Sequence, residues 1–322
     1  MPSTIPKSLI VGASGQLGHA LIAQLGDQAL PAARRQLSPT WLHIDLEEIA
    51  ANPSLLDGLI DQHNITAIYC AAGATDVERC ESDQAWAAAA NHLGPLALAK
   101  AAKNIPFAFY STDYVFDGTK PEPWVETDTT NPLNIYGKTK LGGEQAIARA
   151  MAGSDGRWLV FRTSWVYGAR GNNFLLTMLR LAKERSELRI VDDQVGAPTS
   201  SEAIAQATTA VLSRVFSGDP AQAEAPSQPP AEDLPTDWSG IYHLTCSGAA
   251  SWFGFAREFL TRADETAGTP LPTLIPIPTA EFPRPARRPA NSRLSCEHLR
   301  QTFGVTLPSW QQALQRVLEQ LG

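Results

Sequence analysis

Ser8-Leu9-Ile10-Val11-Gly12-Ala13-Ser14-Gly15-Gln16-Leu17-Gly18 is the stretch that sets the architecture. Its first four residues read as a buried strand, and the apolar periodicity from about Gln16 to Leu25 reads as a helix. Between them Gly12, Gly15 and Gly18 form a GxxGxxG run, one residue longer in the turn than GxGxxG. Glycines there permit a tight turn and close backbone approach, and the following helix N-terminus faces a pyrophosphate. The strand, turn and helix together predict dinucleotide binding.

Further short apolar runs follow at 67–70, 106–110 and 158–161, separated by helical stretches around 53–63, 84–103 and 136–152. Strands alternating with helices of this length predict βαβ units and a parallel sheet covered on both faces. Such connections are right-handed, so the expected fold is a doubly wound (Rossmann) α/β sheet. After residue 168 the pattern changes to a helix at 173–185, a strand near 188–191, a helix at 200–216, a strand at 241–244 and helices at 252–263 and 310–321. The expected organisation is a dinucleotide-binding domain over 1–168, with 196–216 and 240–247 returning to it. A smaller C-terminal α/β substrate lobe takes 169–195 and 248–322. The Pro-, Ala- and acid-rich segment 217–238 (SGDPAQAEAPSQPPAEDLPTDW) reads as a flexible surface insertion.

The chain has 322 residues, 43% hydrophobic and 18% charged, which is ordinary globular composition. Its net charge of −7 and lack of a basic patch argue against nucleic-acid binding. No apolar run approaches the roughly 20 residues that span a bilayer, and the N-terminus lacks the pattern of a signal peptide. Cys70, Cys80, Cys246 and Cys296 have no CxxC spacing and the histidines no HExxH pairing. Reduced thiols in a cytoplasmic, non-membrane enzyme are expected, rather than a metal-dependent hydrolase.

The end of the second strand should distinguish NADH from NADPH. A carboxylate there would bond the ribose 2′-hydroxyl, but the segment Leu30-Pro31-Ala32-Ala33-Arg34-Arg35 has none. Arg34 or Arg35 could meet a 2′-phosphate instead, which favours NADPH with NADH as the alternative. The plain reading is two solvent-facing arginines.

Tyr136-Gly137-Lys138-Thr139-Lys140 contains YxxxK. On a helix, positions four apart share a face. A free tyrosine ionises only near pH ~10, so it serves as an acid-base group near neutrality when a neighbouring ammonium stabilises its anion. YxxxK alone arises by chance in many chains; its place after the fourth predicted strand gives it weight. Ser111-Thr112-Asp113-Tyr114 follows the apolar strand at 106–110, and ligands of open parallel sheets bind beyond the strands' carboxyl ends. Thr112 is thus placed to bond a substrate oxygen and Tyr136. Without YxxxK it would read as a turn or cap.

GASGQLG, AAGATDVERCE, STDYVFDG, NIYGKTKLGGE, FRTSWVYG, GNNF, DDQVGAPTS, YHLTCSG and ARRPANSRLS run through nearly the whole chain. In that order they resemble the extended short-chain dehydrogenase/reductase family, and within it the dTDP-4-dehydrorhamnose reductases. The resemblance implies Thr112, Tyr136 and Lys140 as the catalytic set. It also implies cofactor contacts at Gly15, Gln16 and Leu17 for the pyrophosphate, and at Asp45 and Leu46 on the adenine side. Ala71, Ala72, Gly73, Ala74 and Thr75 lie beside the cofactor ribose, and Lys140 holds it. Thr112, Asp113, Trp165 and Asn173 match sugar-nucleotide contacts, and Arg287, Arg288 and Arg293 could reach a diphosphate. For these the plain readings are a core indole and a solvated loop. Some members carry Mg²⁺ on glutamates where monomers meet. Glu202 and Glu319 match two of these but Ala20 replaces the first, so no metal is expected.

The implied reaction is NAD(P)H-dependent reduction of the 4-keto group of dTDP-4-dehydro-β-L-rhamnose, with a nucleotide sugar as partner and a homodimer as the candidate assembly. Tyr136 would give the proton, Lys140 would lower the tyrosine pKa and Thr112 would polarise the carbonyl. One alternative is a reductase or epimerase for another nucleotide sugar, against which ARRPANSRL argues. The other is a non-catalytic NADP-binding regulatory relative, which would have little reason to keep all three catalytic residues.

Overall fold

Leu9, Ile10 and Val11 are all apolar because the strand they form is covered on both faces. The structure, a computed structural model, describes residues 7–154, 156–217, 238–267 and 271–321. The first strands are β1 (Lys7–Val11), β2 (Ala29–Ala33), β3 (Leu42–His43), β4 (Ile65–Cys70), β5 (Phe107–Thr112) and β6 (Trp158–Thr163). Then come β7 (Val166–Tyr167), β8 (Glu187–Val191), β9 (Val195–Gly196), β10 (Thr199–Ser200), β11 (Gly240–His243), β12 (Ala250–Ser251) and β13 (Thr273–Ile277). Seven of them form one all-parallel sheet in the order β11-β6-β5-β4-β1-β2-β3. The predicted α/β Rossmann sheet is therefore present. Strand order reverses between β1 and β4, which opens a crevice at their carboxyl ends, the usual ligand position in such sheets.

Helices of the first half are α1 (Gln16–Leu25), α2 (Leu46–Ala51), α3 (Leu59–Gln62), α4 (Val77–Ser82), α5 (Gln84–Ala88), α6 (Gly94–Ala101) and α7 (Ile135–Met151). The second half adds α8 (Phe174–Glu184), α9 (Ser201–Ser217), α10 (Trp252–Ala267), α11 (Glu297–Phe303) and α12 (Trp310–Glu319). Side chains alternate across the sheet. Leu9, Val11, Ile68, Cys70, Phe107, Phe109 and Val160 pack one core with Ala97, Leu98 and Ile147 of α6 and α7. Ile10, Tyr69, Ala108, Tyr110 and Phe161 pack the other with Leu21 of α1, Ile204 of α9 and Leu314 of α12. Smaller pairs finish the C-terminal α/β elements: β7 with β10, β8 with β13, and β9 with β12.

Several expected elements differ. The stretch at 53–63 is a 3₁₀ turn at Pro53–Leu56 and then α3, parted by Gly58 at φ +72°. The expected helix at 84–103 is α5 and α6 joined by a π-helical turn at Ala89–Leu93. Pro95 has no N–H for the carbonyl of Asn91 four residues earlier, and a widened turn accommodates that loss. Strand β3 was not foreseen, so the strand ending at Cys70 is the fourth rather than the third and that ending at Thr112 the fifth. Most of the expected insertion, 218–237, lies outside the described residues. At its edges Ser217 closes α9, while Trp238 is buried in the core and its carbonyl accepts from Tyr242. Trp238 therefore belongs to the fold. No helix among the described residues is long and apolar enough to cross a membrane.

Candidate active site

The turn after β1 leaves no room for side chains. Gly12 has φ +91°, and a Cβ there would lie 2.5 Å from the Ala72 nitrogen. A Cβ on Gly18 would collide with the Gly12 carbonyl oxygen. Gly15 caps α1 without a side chain, so nothing of its own covers the helix's first amides. A backbone cradle at a helix N-terminus fits the diphosphate of a dinucleotide. Leu17 is buried beneath it. Gln16 does not point outward: its amide donates to the Val166 carbonyl at 3.1 Å and accepts from Asn173 at 3.3 Å.

On the other side of the crevice, the Ala71 amide donates to the Val11 carbonyl at 2.9 Å. Gly73 leaves space for Lys140, since a Cβ there would be 2.9 Å from its Nζ. Asn91, in the π-helical turn, fixes this loop by bonding both the amide and the carbonyl of Ala74, and Thr75 beyond it is exposed. Arg34 and Arg35 follow β2 directly and are exposed. The Asp45 carboxylate caps α2 by accepting from the Glu47 amide at 2.8 Å, and Leu46 is buried.

Helix α7 begins where Asn134 accepts from the Gly137 amide at 2.8 Å. This places Tyr136 in the first turn, over the end of β5. Its ring meets Tyr114 edge-on at 5.8 Å, and the Thr112 side chain is near its hydroxyl. Lys140 lies one turn on, fully within the protein, where its ammonium donates to the Tyr110 carbonyl at 2.9 Å and sits 4.6 Å from the Phe109 ring centre. Burial pulls the Lys140 pKa down to about 8. Burial also pushes the Tyr136 phenol up, opposed by the nearby Thr112 hydroxyl and reinforced by the Asp113 charge. In this arrangement burial, rather than Lys140, governs the phenol.

Thr112 differs from expectation in a similar way. Its hydroxyl donates to Asp113 Oδ1 at 2.9 Å and accepts from the Tyr114 amide at 3.2 Å. The proton that would polarise a substrate carbonyl is thus committed to Asp113. Asp113 itself is 3% exposed, and its carboxylate also takes hydroxyls from Ser164, at 3.0 Å, and Ser292. Burial raises its pKa to about 6 against those hydrogen bonds.

The remaining predicted positions are brought near the cleft but are tied to the protein. Trp165 adopts φ +47°, an unusual conformation for a bulky residue, and stacks on Trp252 with ring centres 3.5 Å apart. Asn173 caps α8 by accepting from the Leu176 amide. Arg288 pairs with Glu78 at 2.7 Å and bonds Tyr114. Arg293 is turned toward the Asn291 side chain and the Pro121 carbonyl, away from Arg288's partners. Arg287 is exposed, and its carbonyl accepts from Asn134 at 2.7 Å.

Sequence reasoning missed Tyr114, Glu78, Ser164, Ser292 and Asn91. The first four lie inside the quoted motifs, so position was the available signal, but only the fold shows which of them converge. Asn91 had no signal beyond Pro95. For the metal, Ala20 is packed in the core, Glu202 has a buried oxygen without a hydrogen-bond partner, and Glu319 accepts from Gln315. Among the described residues no three His, Cys, Asp or Glu side chains converge. A metal site within one chain does not fit these residues.

Residues 7–322 match the family model described as the RmlD substrate binding domain. The chain is 43% identical over 316 residues to a dTDP-4-dehydrorhamnose reductase of Burkholderia thailandensis, covering 96% of each protein. It is 44% identical over 258 residues to one of Escherichia coli, covering 79% of each. A crystal structure of the Bacillus anthracis dTDP-4-dehydrorhamnose reductase in complex with NADP superposes with a TM-score of 0.81 at 28% identity, covering 98% of this chain and 100% of that one.

Proposed function

Because the chain belongs to the dTDP-4-dehydrorhamnose reductase family, we infer that its cleft is the site of NAD(P)H-dependent reduction of dTDP-4-dehydrorhamnose to dTDP-rhamnose. The observation that carries the reading is the placement of Tyr136 in the first turn of α7 beside Thr112 at the end of β5, with Lys140 one turn away against Gly73, beside the glycine cradle. When bound, the nicotinamide supplies the hydride that the carbonyl carbon receives. Tyr136 gives its proton to the oxygen as negative charge develops there. A phenol pushed up by burial keeps that proton through neutrality, which suits reduction. Lys140 has its ammonium beside Gly73, where a nicotinamide ribose fits, and Phe109 and the sheet exclude water behind it. Exposed Arg287, whose carbonyl accepts from Asn134 just before α7, and Arg288 beside it suit the substrate diphosphate. NADPH or NADH oxidation on adding dTDP-4-dehydrorhamnose tests the assignment; no turnover with either would remove it.

NADPH is the preferred cofactor in this reading, since two exposed arginines follow β2 and no carboxylate does. Replacing Arg34 and Arg35 together with Ala should raise the KM for NADPH far more than that for NADH. Equal changes for both cofactors would show that neither arginine reads the 2′-phosphate. The cradle has its own test. Gly18→Ala puts a methyl against the Gly12 carbonyl, so fluorescence titration should show NADPH binding weakened by about tenfold or more, ~1.4 kcal/mol. Wild-type affinity in that variant would move the pyrophosphate elsewhere.

A further inference from the structure

One side chain joins the arginine-bearing loop to the helix that carries Tyr136 and Lys140. Asn134, 2% exposed, accepts from the Gly137 amide at 2.8 Å and so caps α7. Its Nδ2 donates to the Arg287 carbonyl at 2.7 Å. Asn, Asp and Ser cap a helix about equally well. An ionised Asp only accepts, however, and Ser has a single, shorter-reaching hydroxyl. Of the three, Asn alone offers an acceptor to the helix and a donor to a separate carbonyl from two different atoms.

Helix α4 holds the same two segments from another side. Glu78 and Glu81, three residues apart, share a face of it. Glu78 accepts from the Ala286 amide at 3.1 Å and pairs with Arg288 at 2.7 Å, while Glu81 accepts from the Ile135 amide at 2.8 Å. Beyond the arginines, Gly118 has φ +78°, and a Cβ on it would lie 2.6 Å from the Ala290 nitrogen, so the loop packs closely on the segment that follows β5. Gly137 is equally confined, since a Cβ there would strike the Tyr114 carbonyl. Arg287 stands between two pinned ends of the loop, and Asn134 fastens its carbonyl to the first turn of α7. Binding energy at a remote group orients the reacting one only when the two contact points are rigidly connected. We propose that Asn134 is a positioning residue: it fixes the loop that takes the substrate diphosphate relative to Tyr136, so that a nucleotide sugar held at Arg287 and Arg288 presents its keto group to the phenol. This rests on the reduction proposed above.

Asn134→Asp keeps the acceptor for the Gly137 amide and suits the positive end of α7, but it turns an oxygen toward the Arg287 carbonyl. The expected result is a KM for dTDP-4-dehydrorhamnose higher by about tenfold, with kcat within about threefold and the KM for NADPH unchanged. dTDP, which has the diphosphate without the sugar, should inhibit with a Ki raised by the same factor. A role confined to capping predicts no change in either quantity, because Asp caps as well as Asn. Unchanged KM and Ki overturn the proposal, and so does a loss confined to kcat.

Hydrogen exchange on the NADPH-bound protein reads the same tie without turnover. Peptides covering 284–290 should exchange about tenfold faster in Asn134→Asp, while those covering the first turn of α7 keep wild-type protection. That result stands even if the wild type fails to turn over dTDP-4-dehydrorhamnose, which would count against the proposed reaction alone. Wild-type exchange in the loop overturns the tie. If the buried charge prevents folding, Asn134→Ser takes its place. Its hydroxyl caps the helix but does not also reach Arg287, so the same changes in loop exchange and KM are expected, and their absence overturns the proposal.

Discussion

Tyr136→Phe is expected to lower kcat by about 10²–10⁴-fold while leaving NADPH affinity and melting temperature near those of the wild type. A hundredfold loss corresponds to about 2.7 kcal/mol of barrier. Only a hydroxyl disappears: the ring still meets Tyr114 edge-on and still packs with the core beneath α7. Thr112 keeps its hydrogen bonds to Asp113 and to the Tyr114 amide, so the neighbourhood need not rearrange. Without the phenol, the developing alkoxide has no positioned proton, since Lys140 is directed to the Tyr110 carbonyl and Thr112 to Asp113. Steady-state kinetics with dTDP-4-dehydrorhamnose, beside a cofactor titration, separate the two effects. Turnover within a few-fold of wild type would take Tyr136 out of the mechanism. The opposite direction, oxidation of the alcohol, needs the phenolate. Because burial pushes the phenol up, oxidation should keep gaining rate as pH rises, while reduction keeps its rate through neutrality.

The cofactor half of this site was legible because its chemistry is backbone chemistry. Gly12 and Gly18 cannot be replaced where a Cβ would enter neighbouring backbone, and that demand is written in residue type at fixed spacing. Tyr136 and Lys140 were legible for a similar reason, as helix period alone puts them on one face. What escaped was convergence from distant segments. Ser164 lies 51 residues from Asp113, and Glu144 lies 18 from Arg162. No local pattern distinguishes a serine that caps a turn from one that donates to a buried carboxylate. Direction was equally hidden. Thr112 was expected to bond a substrate oxygen and Tyr136, but the partner of its proton depended on a carboxylate whose burial only the packed fold reveals. The break at Pro95 could have been read, since a proline inside a helical pattern removes one backbone bond. That it would widen a turn and aim Asn91 at Ala74 could not.

Replacing Arg162 with Met should be the most destabilising of the substitutions considered, by about 3–5 kcal/mol. Arg162 on β6 and Glu144 on α7 form a buried pair, exposed by 3% and 1%, joined by hydrogen bonds of 2.7, 3.0 and 3.2 Å. Ser111 on β5 adds its hydroxyl to the same carboxylate. Methionine fills much of the space but leaves Glu144 with Ser111 in place of a guanidinium, and an unpaired buried charge is costly. In a chain of this size the melting temperature should fall by on the order of 10 °C. Removing both charges is a different matter, because a buried pair returns little beyond its own desolvation cost. Arg162→Met combined with Glu144→Gln should therefore recover more than half of the lost stability, with the amide still bonding Ser111. The double variant should nonetheless be a poorer enzyme on the alkaline side. Glu144 stands one turn beyond Lys140 and raises its pKa against the burial that lowers it to about 8. Without that carboxylate the lysine loses its proton at lower pH, so a step that needs the ammonium fails earlier as pH rises. Thermal unfolding of both variants, with a pH–rate profile of the double one, checks the two halves separately. A single variant that melts within a few degrees of wild type would mean that α7 is held to the sheet by its apolar face alone. The Arg162–Glu144 pair would then be neutral ballast beneath the catalytic helix.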